Sequence, residues 1–267
     1  MKGFGVSGRK RFAPLFSNKA ALLCLVVLSA CAPANHAPPF ANGGYAPFSR
    51  RAAVAVALRE WRLWGGHVDD DDGAGYVQRA ATMPERQQGL WQRVGEYWWE
   101  GMNSAEPDAR WTGKHDGNGK LFPVAVNGDY AWSAAFISYV MRIAGAGPDF
   151  PYAPDHATYI NYAARPYHPG KLLIAENPVD YAPRLGDLLC FPRGPARRLS
   201  FKDLPTQQLF PAHCGIVTGG GPGVLEIVGG NVDDAVTMEH LHANAQGLLS
   251  GNRENWFVIL RVLYAQN

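Results

Sequence analysis

The stretch "NGDYAWSAAFISYVMRIAG", residues Asn127–Gly145, decides how the chain is interpreted, because it predicts a helix with a hydroxyl side chain near its start. Asp129 is the expected N-cap, which places Ser133 in the first turn, where the helix dipole favours negative charge. A thiol ionises readily at such a site, but a serine hydroxyl needs a general base within hydrogen-bond reach. Ser133 is therefore a candidate nucleophile or simply a small residue where a helix begins.

Apolar residues at helical spacing predict three further helices around this stretch. The first presents Val54, Leu58 and Trp61 on its apolar face. The second begins with a capping-box pattern at Thr82, and a short helix follows Asp155. In the Asn127–Gly145 helix itself the inward-facing residues are predicted to be Phe136, Ile137, Val140, Met141 and Ala144.

The apolar pattern changes to short, alternating runs separated by glycine and proline in the second half of the chain. These runs predict strands of a largely antiparallel sheet. They cover residues 186–191, 213–219, 224–230, 234–239 and 255–264. Because the helices precede the strands, the fold class is predicted to be α+β.

The N-terminus has the features of an export signal of the bacterial lipoprotein type. Residues 1–30 carry five basic side chains, no acidic ones and a short apolar run, which is too short to span a bilayer. "LSAC", Leu28–Cys31, resembles a lipoprotein cleavage site, with Cys31 as the lipidated residue. Plain cleavage of a signal peptide near this point is the alternative. Residues 31–49 are predicted to be a flexible tether and residues 50–267 one domain.

Charge and composition exclude some classes of protein. The 267 residues are 47% hydrophobic and 12% aromatic, which is a composition that buries a core. Without the predicted signal, 20 basic and 23 acidic residues remain, a net charge of −3, so no nucleic-acid footprint is present. No zinc or calcium ligand spacing is recognisable, and no metal or cofactor is expected.

Two polar residues on predicted strands complete a possible catalytic set with Ser133. In a strand, His213 shares a face with Gly215 and Val217, and the open space beside a glycine suits a general base. Cys214 points to the other face and is predicted to lie in the core. Asn231 follows a Gly-Gly pair and could orient an imidazole, with Glu226 and Asp233 as alternatives to it.

Four cysteines are present, of which Cys24 and Cys31 belong to the signal region. Cys190 and Cys214 remain in a compartment that would be oxidising. The sequence leaves open whether they form a disulfide or stay as buried thiols.

The order of these elements resembles the papain-like cell-wall peptidase and amidase superfamily of bacteria, of the NlpC and CHAP type. "YAWSAAFISYV" is similar to the helix start of CHAP-type domains, with Ser133 where that superfamily has cysteine. "GDLLCF", "HCGIV" and "GGNV" follow in the order of that superfamily. More narrowly, the chain resembles an uncharacterised bacterial subfamily, a domain of unknown function that carries serine at this position.

This resemblance implies an envelope hydrolase of amide bonds with peptidoglycan or wall peptide as its substrate. Ser133 would be the nucleophile, His213 the general base and Asn231 the orienting residue. An inactive binding module and an esterase or acyltransferase are the alternatives. Export and lipidation at Cys31 imply a membrane-anchored protein, facing the periplasm from the outer membrane. His156, at a helix start, is predicted to be a surface histidine, with a position in a cleft near Ser133 as the alternative.

Overall fold

The computed structural model describes residues 47–70, 83–102, 106–123 and 130–265. The predicted signal peptide, Cys31, most of the tether, and Asp129 lie outside these residues. The helices are α1 (Arg50–Leu63), α2 (Leu90–Gly101), α3 (Ser133–Ile143) and α4 (His156–Ala164). The strands are β1 (Leu173–Glu176), β2 (Leu188–Pro192), β3 (Ala212–Gly221), β4 (Val224–Val232), β5 (Ala235–His242) and β6 (Val258–Val262). The α+β prediction is confirmed.

The six strands form one sheet in the order β1-β6-β2-β3-β4-β5. Every neighbouring pair is antiparallel. The five predicted strands are all present, whereas β1 was not predicted from the sequence. No helix in the described segments has the length and apolarity needed to cross a bilayer.

Helix α3 lies at the centre of the main hydrophobic core. All five of its predicted inward-facing residues are buried. Glycines on both sides bring neighbouring backbone close to the helix. A Cβ atom at Gly101 of α2 would lie 2.6 Å from the carbonyl oxygen of Ala135. A Cβ atom at Gly230 of β4 would lie 2.5 Å from the Cβ of Phe136. The two glycines therefore fix the position of α3, and with it that of Ser133.

Helix α1 buries a different face from the predicted one. Its buried residues are Ala53, Val56, Ala57 and Glu60. The predicted face, which contains Val54 and Leu58, is only partly buried. Ala53 and Ala57 add little to the periodic apolar pattern of the sequence. They lie on the buried face because small side chains allow the closest approach of the helix to the core.

Helix α2 begins later than its capping-box pattern predicts. Pro84–Arg86 forms a separate 3-10 turn, and the α-helix starts at Leu90. The N-cap is Gly89, with φ +91°, a left-handed conformation that glycine adopts without strain. The face that this helix turns to the core contains Val94, Tyr97, Trp98 and Gly101.

Cys190 and Cys214 form a disulfide between β2 and β3. The two residues are direct partners in the antiparallel register, with their Cα atoms 4.1 Å apart. Both are fully buried in the main core. The disulfide therefore settles the alternative that the sequence left open, and it ties the strand that carries His213 to its neighbour.

Candidate functional site

Ser133 is the first residue of α3 and is 5% exposed. The first intrahelical hydrogen bond runs from the amide of Phe136 to the carbonyl of Trp132. The N–H groups at the start of a helix have no acceptor within the helix, so they can hold negative charge that develops nearby. The prediction that Ser133 lies in the first helical turn is confirmed.

The Oγ atom of Ser133 lies 2.8 Å from Nε2 of His156. His156 is the first residue of α4, and Asp155 caps that helix by accepting a hydrogen bond from the amide of Thr158. The imidazole is 3% exposed. The prediction of a surface histidine was therefore wrong: α4 packs its N-terminus against that of α3, which buries the ring beside Ser133.

His213 lies next to this pair but forms no hydrogen bond with Ser133. Its ring is 5.6 Å from that of His156 and 5.4 Å from that of Phe191, measured between centroids. Gly229 makes room for it, since a Cβ atom there would lie 2.8 Å from Nε2 of His213. The structure thus brings His213 to the site, at 2% exposure, beside the histidine that contacts Ser133.

Both imidazoles are neutral at physiological pH. Burial, with a smaller effect of the Arg193 guanidinium, lowers the pKa of His156 to about 3. Burial, His156 and Arg193 together hold the pKa of His213 well below its usual range. A neutral imidazole can accept a proton from a hydroxyl, which is the state that a general base requires.

The tautomers of the two histidines are not fixed by a partner. In the described part of the chain, Nδ1 of His156 and Nδ1 of His213 are buried without a hydrogen-bond partner. If His156 accepts from Ser133 through Nε2, its proton is on Nδ1. No carboxylate or amide among the described residues receives that proton.

Asn231, the predicted orienting residue, lies at a bend of β4. It occupies an irregular position in β4, between Gly230 and Val232, with φ +57°. No hydrogen bond joins it to either imidazole in the described part of the structure. Asparagine tolerates this left-handed conformation well, which accounts for its presence at the bend.

Glu226 and Asp233, the predicted alternatives to Asn231, lie in two different parts of the structure. The Glu226 carboxylate lies against Gly219 in the β3–β4 hairpin, away from the start of β3. Asp233 follows β4, and burial together with the charges of Asp69 and Asp234 raises its pKa to about 6. Arg193 is the cation whose field reaches both Asp233 and the two histidines.

Comparison with known protein families assigns the chain to a bacterial family. The bacterial family DUF2272, described as an uncharacterized protein conserved in bacteria, matches residues 85–262. The chain belongs to this family. The DUF2272 match spans about two thirds of the sequence and includes Ser133, His156, His213 and Asn231. No curated protein and no solved structure matches the chain.

The sequence offered a position near Ser133 only as the less favoured alternative for His156, and it did not predict Glu85 at this DUF2272 site. His156 is preceded by the capping residue Asp155, a pattern that identifies the start of a helix but not its neighbour in space. Glu85 is 6% exposed, and its Oε2 accepts a hydrogen bond of 2.6 Å from Nε1 of Trp132, the residue before Ser133. No group of three or more metal-ligating side chains is present among the residues described.

Glu85 makes the stability of the protein depend on pH near neutrality. Burial raises its pKa to about 7, with a further contribution from Asp234, despite the bond from Trp132. The folded protein retains the proton between pH 4.5 and 7 while the unfolded chain loses it, so stability falls as the pH rises through this range. The difference between the pKa of Glu85 in the folded protein and in the unfolded chain corresponds to roughly 3 kcal/mol of folding stability.

We expect Glu85→Gln to remove this pH dependence, because the amide retains an acceptor for Trp132 without a buried charge. The variant should gain about 1–3 kcal/mol relative to the wild type at pH 8 and much less at pH 4.5. Urea unfolding at both pH values measures this. Glu100→Gln, at an exposed position of α2, is the control and should change stability by less than about 0.5 kcal/mol. An equal gain at both pH values would contradict the prediction.

Proposed function

We propose that this protein is a serine hydrolase that cleaves amide bonds, with Ser133 as nucleophile and His156 as general base. The observation that carries the proposal is the 2.8 Å contact between Ser133 Oγ and His156 Nε2 at the start of α3. A serine in the first turn of a buried helix, bonded to a neutral imidazole, meets the geometric requirement for an activated nucleophile.

The chemistry would proceed through an acyl-enzyme. Ser133 Oγ attacks the carbonyl carbon of the substrate while its proton passes to Nε2 of His156. The N–H groups at the start of α3 stabilise the oxyanion. His156 then returns the proton to the leaving amine, the carbon–nitrogen bond breaks, and an acyl ester remains on Ser133. Water, deprotonated by His156, hydrolyses this ester and restores the serine hydroxyl.

His213 is proposed to act on His156 rather than on the substrate. Its ring packs against that of His156 and also contacts Phe191, so His213 restricts the orientation of the His156 imidazole. The resemblance to papain-like hydrolases instead assigns the general base to His213. The two assignments make different predictions for substitutions of the two histidines.

The proposed substrate is peptidoglycan or its peptide, and the proposed location is the cell envelope. Support comes from the resemblance to papain-like peptidases of the NlpC and CHAP type and from the signal with Cys31. Lipidation there would anchor the protein to the outer membrane, facing the periplasm. Arg193 is exposed beside the two histidines, where it can bind a substrate carboxylate.

A binding module on the same fold is the second candidate. The burial of Ser133, His156 and His213, together with the unpaired Nδ1 atoms, favours it, since a working triad has a third group that orients the base. Such a protein would bind wall peptide without cleaving it.

Digestion of purified peptidoglycan by the full chain tests these candidates. We expect the wild type to release soluble fragments, identified by mass spectrometry, and Ser133→Ala to lower the rate at least about 1,000-fold. Ser138→Ala is the matched control, because Ser138 is also a buried serine of α3 but bonds to Tyr159 instead of a histidine. It should keep activity within about 10-fold of the wild type.

Two results would reject the hydrolase. Equal activity of Ser133→Ala and the wild type would remove Ser133 from the mechanism. No fragments from any protein, with all of them sedimenting with the wall, would establish the binding module instead. A simple acyl ester as second substrate detects the esterase alternative, because serine would then turn over the ester but not the amide.

A further inference from the structure

A groove of about 800 Å³ lies between α1 and the segment that follows β6, away from Ser133 and the two histidines. One wall is the face of α1 that the sequence predicted to be apolar. Val54, Ala55 and Leu58 lie on that face, and Leu185 and Leu263 line the opposite side. Leu185 is 46% exposed. Helix α1 therefore has two apolar stripes. Ala53, Val56 and Ala57 are buried in the core, whereas the stripe that contains Leu58 lines the groove, with Leu58 also packing against the edge of the core.

The rim of the groove is strongly basic. Arg50, Arg51, Arg62, Arg184 and Arg261 line it, and none of its described lining residues is acidic. Two of these arginines form ion pairs with carboxylates that do not line the groove. Arg50 lies 3.9 Å from Asp187, and Arg261 lies 2.9 Å from Glu176.

The other three arginines, Arg51, Arg62 and Arg184, form no ion pair with any described residue. Arg51 and Arg62 stand eleven residues apart on one side of α1, at either end of its exposed apolar stripe. Arg184 lies on the facing wall, beside Leu185. The groove thus combines an apolar floor with an excess of positive charge at its edges.

We propose that this groove binds an acidic phospholipid. The phosphate would accept hydrogen bonds from the guanidinium groups, which suit phosphate geometry, and an acyl chain would cover the stripe of Val54, Ala55 and Leu58. Charge complementarity selects this occupant: a neutral amphiphile would leave the arginines without partners, and a small anion would leave the apolar floor exposed to water.

The position of the groove in the chain agrees with this occupant. Ser49, the residue before α1, lines the groove and is the last residue of the predicted tether, which begins at Cys31, the predicted site of lipidation. A domain held near a membrane by such a tether could lay this face on the lipid surface. The proposal does not depend on hydrolysis at Ser133, and it holds for a binding module as well.

Calorimetric titration of the full chain with short-chain, monomeric phospholipids tests the proposal. We expect dioctanoyl phosphatidylglycerol to bind, while dioctanoyl phosphatidylcholine and glycerol phosphate bind at least 10-fold more weakly. Arg51→Gln/Arg62→Gln should weaken binding of phosphatidylglycerol about 30-fold, from roughly 1 kcal/mol for each arginine. Arg197→Gln/Arg198→Gln carries the same change of charge at two exposed arginines outside the groove and should bind as the wild type does.

Thermal melting verifies that both double variants remain folded. Equal binding of phosphatidylcholine would reduce the groove to an apolar surface, and equal binding of glycerol phosphate would reduce it to a simple anion site; either result overturns the proposal. Equal loss in the two double variants would show an effect of net charge alone and would also overturn it. Failure of peptidoglycan digestion has no bearing on this experiment.

Discussion

His156→Gln is expected to lower kcat/KM for amide hydrolysis about 1,000-fold, because glutamine cannot accept the proton of Ser133. The matched variant is His213→Gln, which removes a second imidazole that is equally buried and lies 5.6 Å away. If His213 only positions His156, substitution of His213 should lower kcat/KM by no more than about 10-fold. Steady-state kinetics on a peptidoglycan fragment, with circular dichroism to verify folding, provide the comparison.

The reverse order of effects would identify His213 as the base, as the resemblance to papain-like hydrolases implies. The pH profile separates the two outcomes further. Since the pKa of His156 is about 3, the histidine stays unprotonated as the pH falls from 7 to 5, and kcat/KM should be nearly constant over that range. A loss of activity centred near pH 6.5 would show that the base is an ordinary solvated imidazole.

Glu60→Gln is expected to lower the free energy of unfolding by about 3–5 kcal/mol, because it removes the charge of a fully buried carboxylate and leaves the partly buried Arg93 without its counter-charge. Glu60 of α1 is fully buried. Its Oε2 accepts hydrogen bonds of 2.8 Å from Arg93 Nε and from the Tyr97 hydroxyl of α2. Its Oε1 accepts one of 3.2 Å from the Tyr139 hydroxyl of α3. One carboxylate thus joins three helices.

Urea unfolding measures this loss, with Glu96→Gln as the control. Glu96 also pairs with Arg93, but its side chain is 53% exposed, so its removal should cost less than about 1 kcal/mol. Burial alone would raise the pKa of Glu60, but hydrogen bonds from Arg93, Arg59 and Tyr97 outweigh it and lower the pKa. Its contribution is therefore present above the pKa of the unfolded chain and is lost as the pH falls through the folded value. Similar losses in both variants would contradict this account.

Periodic patterns in the sequence predicted the elements of this fold better than they predicted the contacts between elements. The inward face of α3 and the five longer strands followed from their apolar spacing. The strand β1 was missed because its four residues, Leu173–Glu176, are too few to show alternation. The buried face of α1 was missed because alanine carries little of the apolar signal, although it allows the closest packing.

In the candidate site too, single residues were predicted from the sequence, but the contacts between them were not. Ser133 at a helix start and His213 at a strand start followed from local patterns. His156 lies 23 residues after Ser133, and only the packing of α4 against α3 brings the two side chains together. The pairing of Cys190 with Cys214 depends on the register of β2 and β3, which alternation within each strand does not determine.

The adjacent glycines of β4 limit how this protein can diversify. A side chain at Gly229 would collide with the His213 ring, and one at Gly230 would collide with Phe136 and displace the helix that begins with Ser133. Successive positions of a strand point to opposite faces of the sheet. A side chain is therefore excluded on one face by the His213 ring and on the other face by Phe136. A larger residue at Gly229 or Gly230 would therefore damage the site and not reshape it. New specificity would have to come from the periphery of the site, for example from the exposed Arg193.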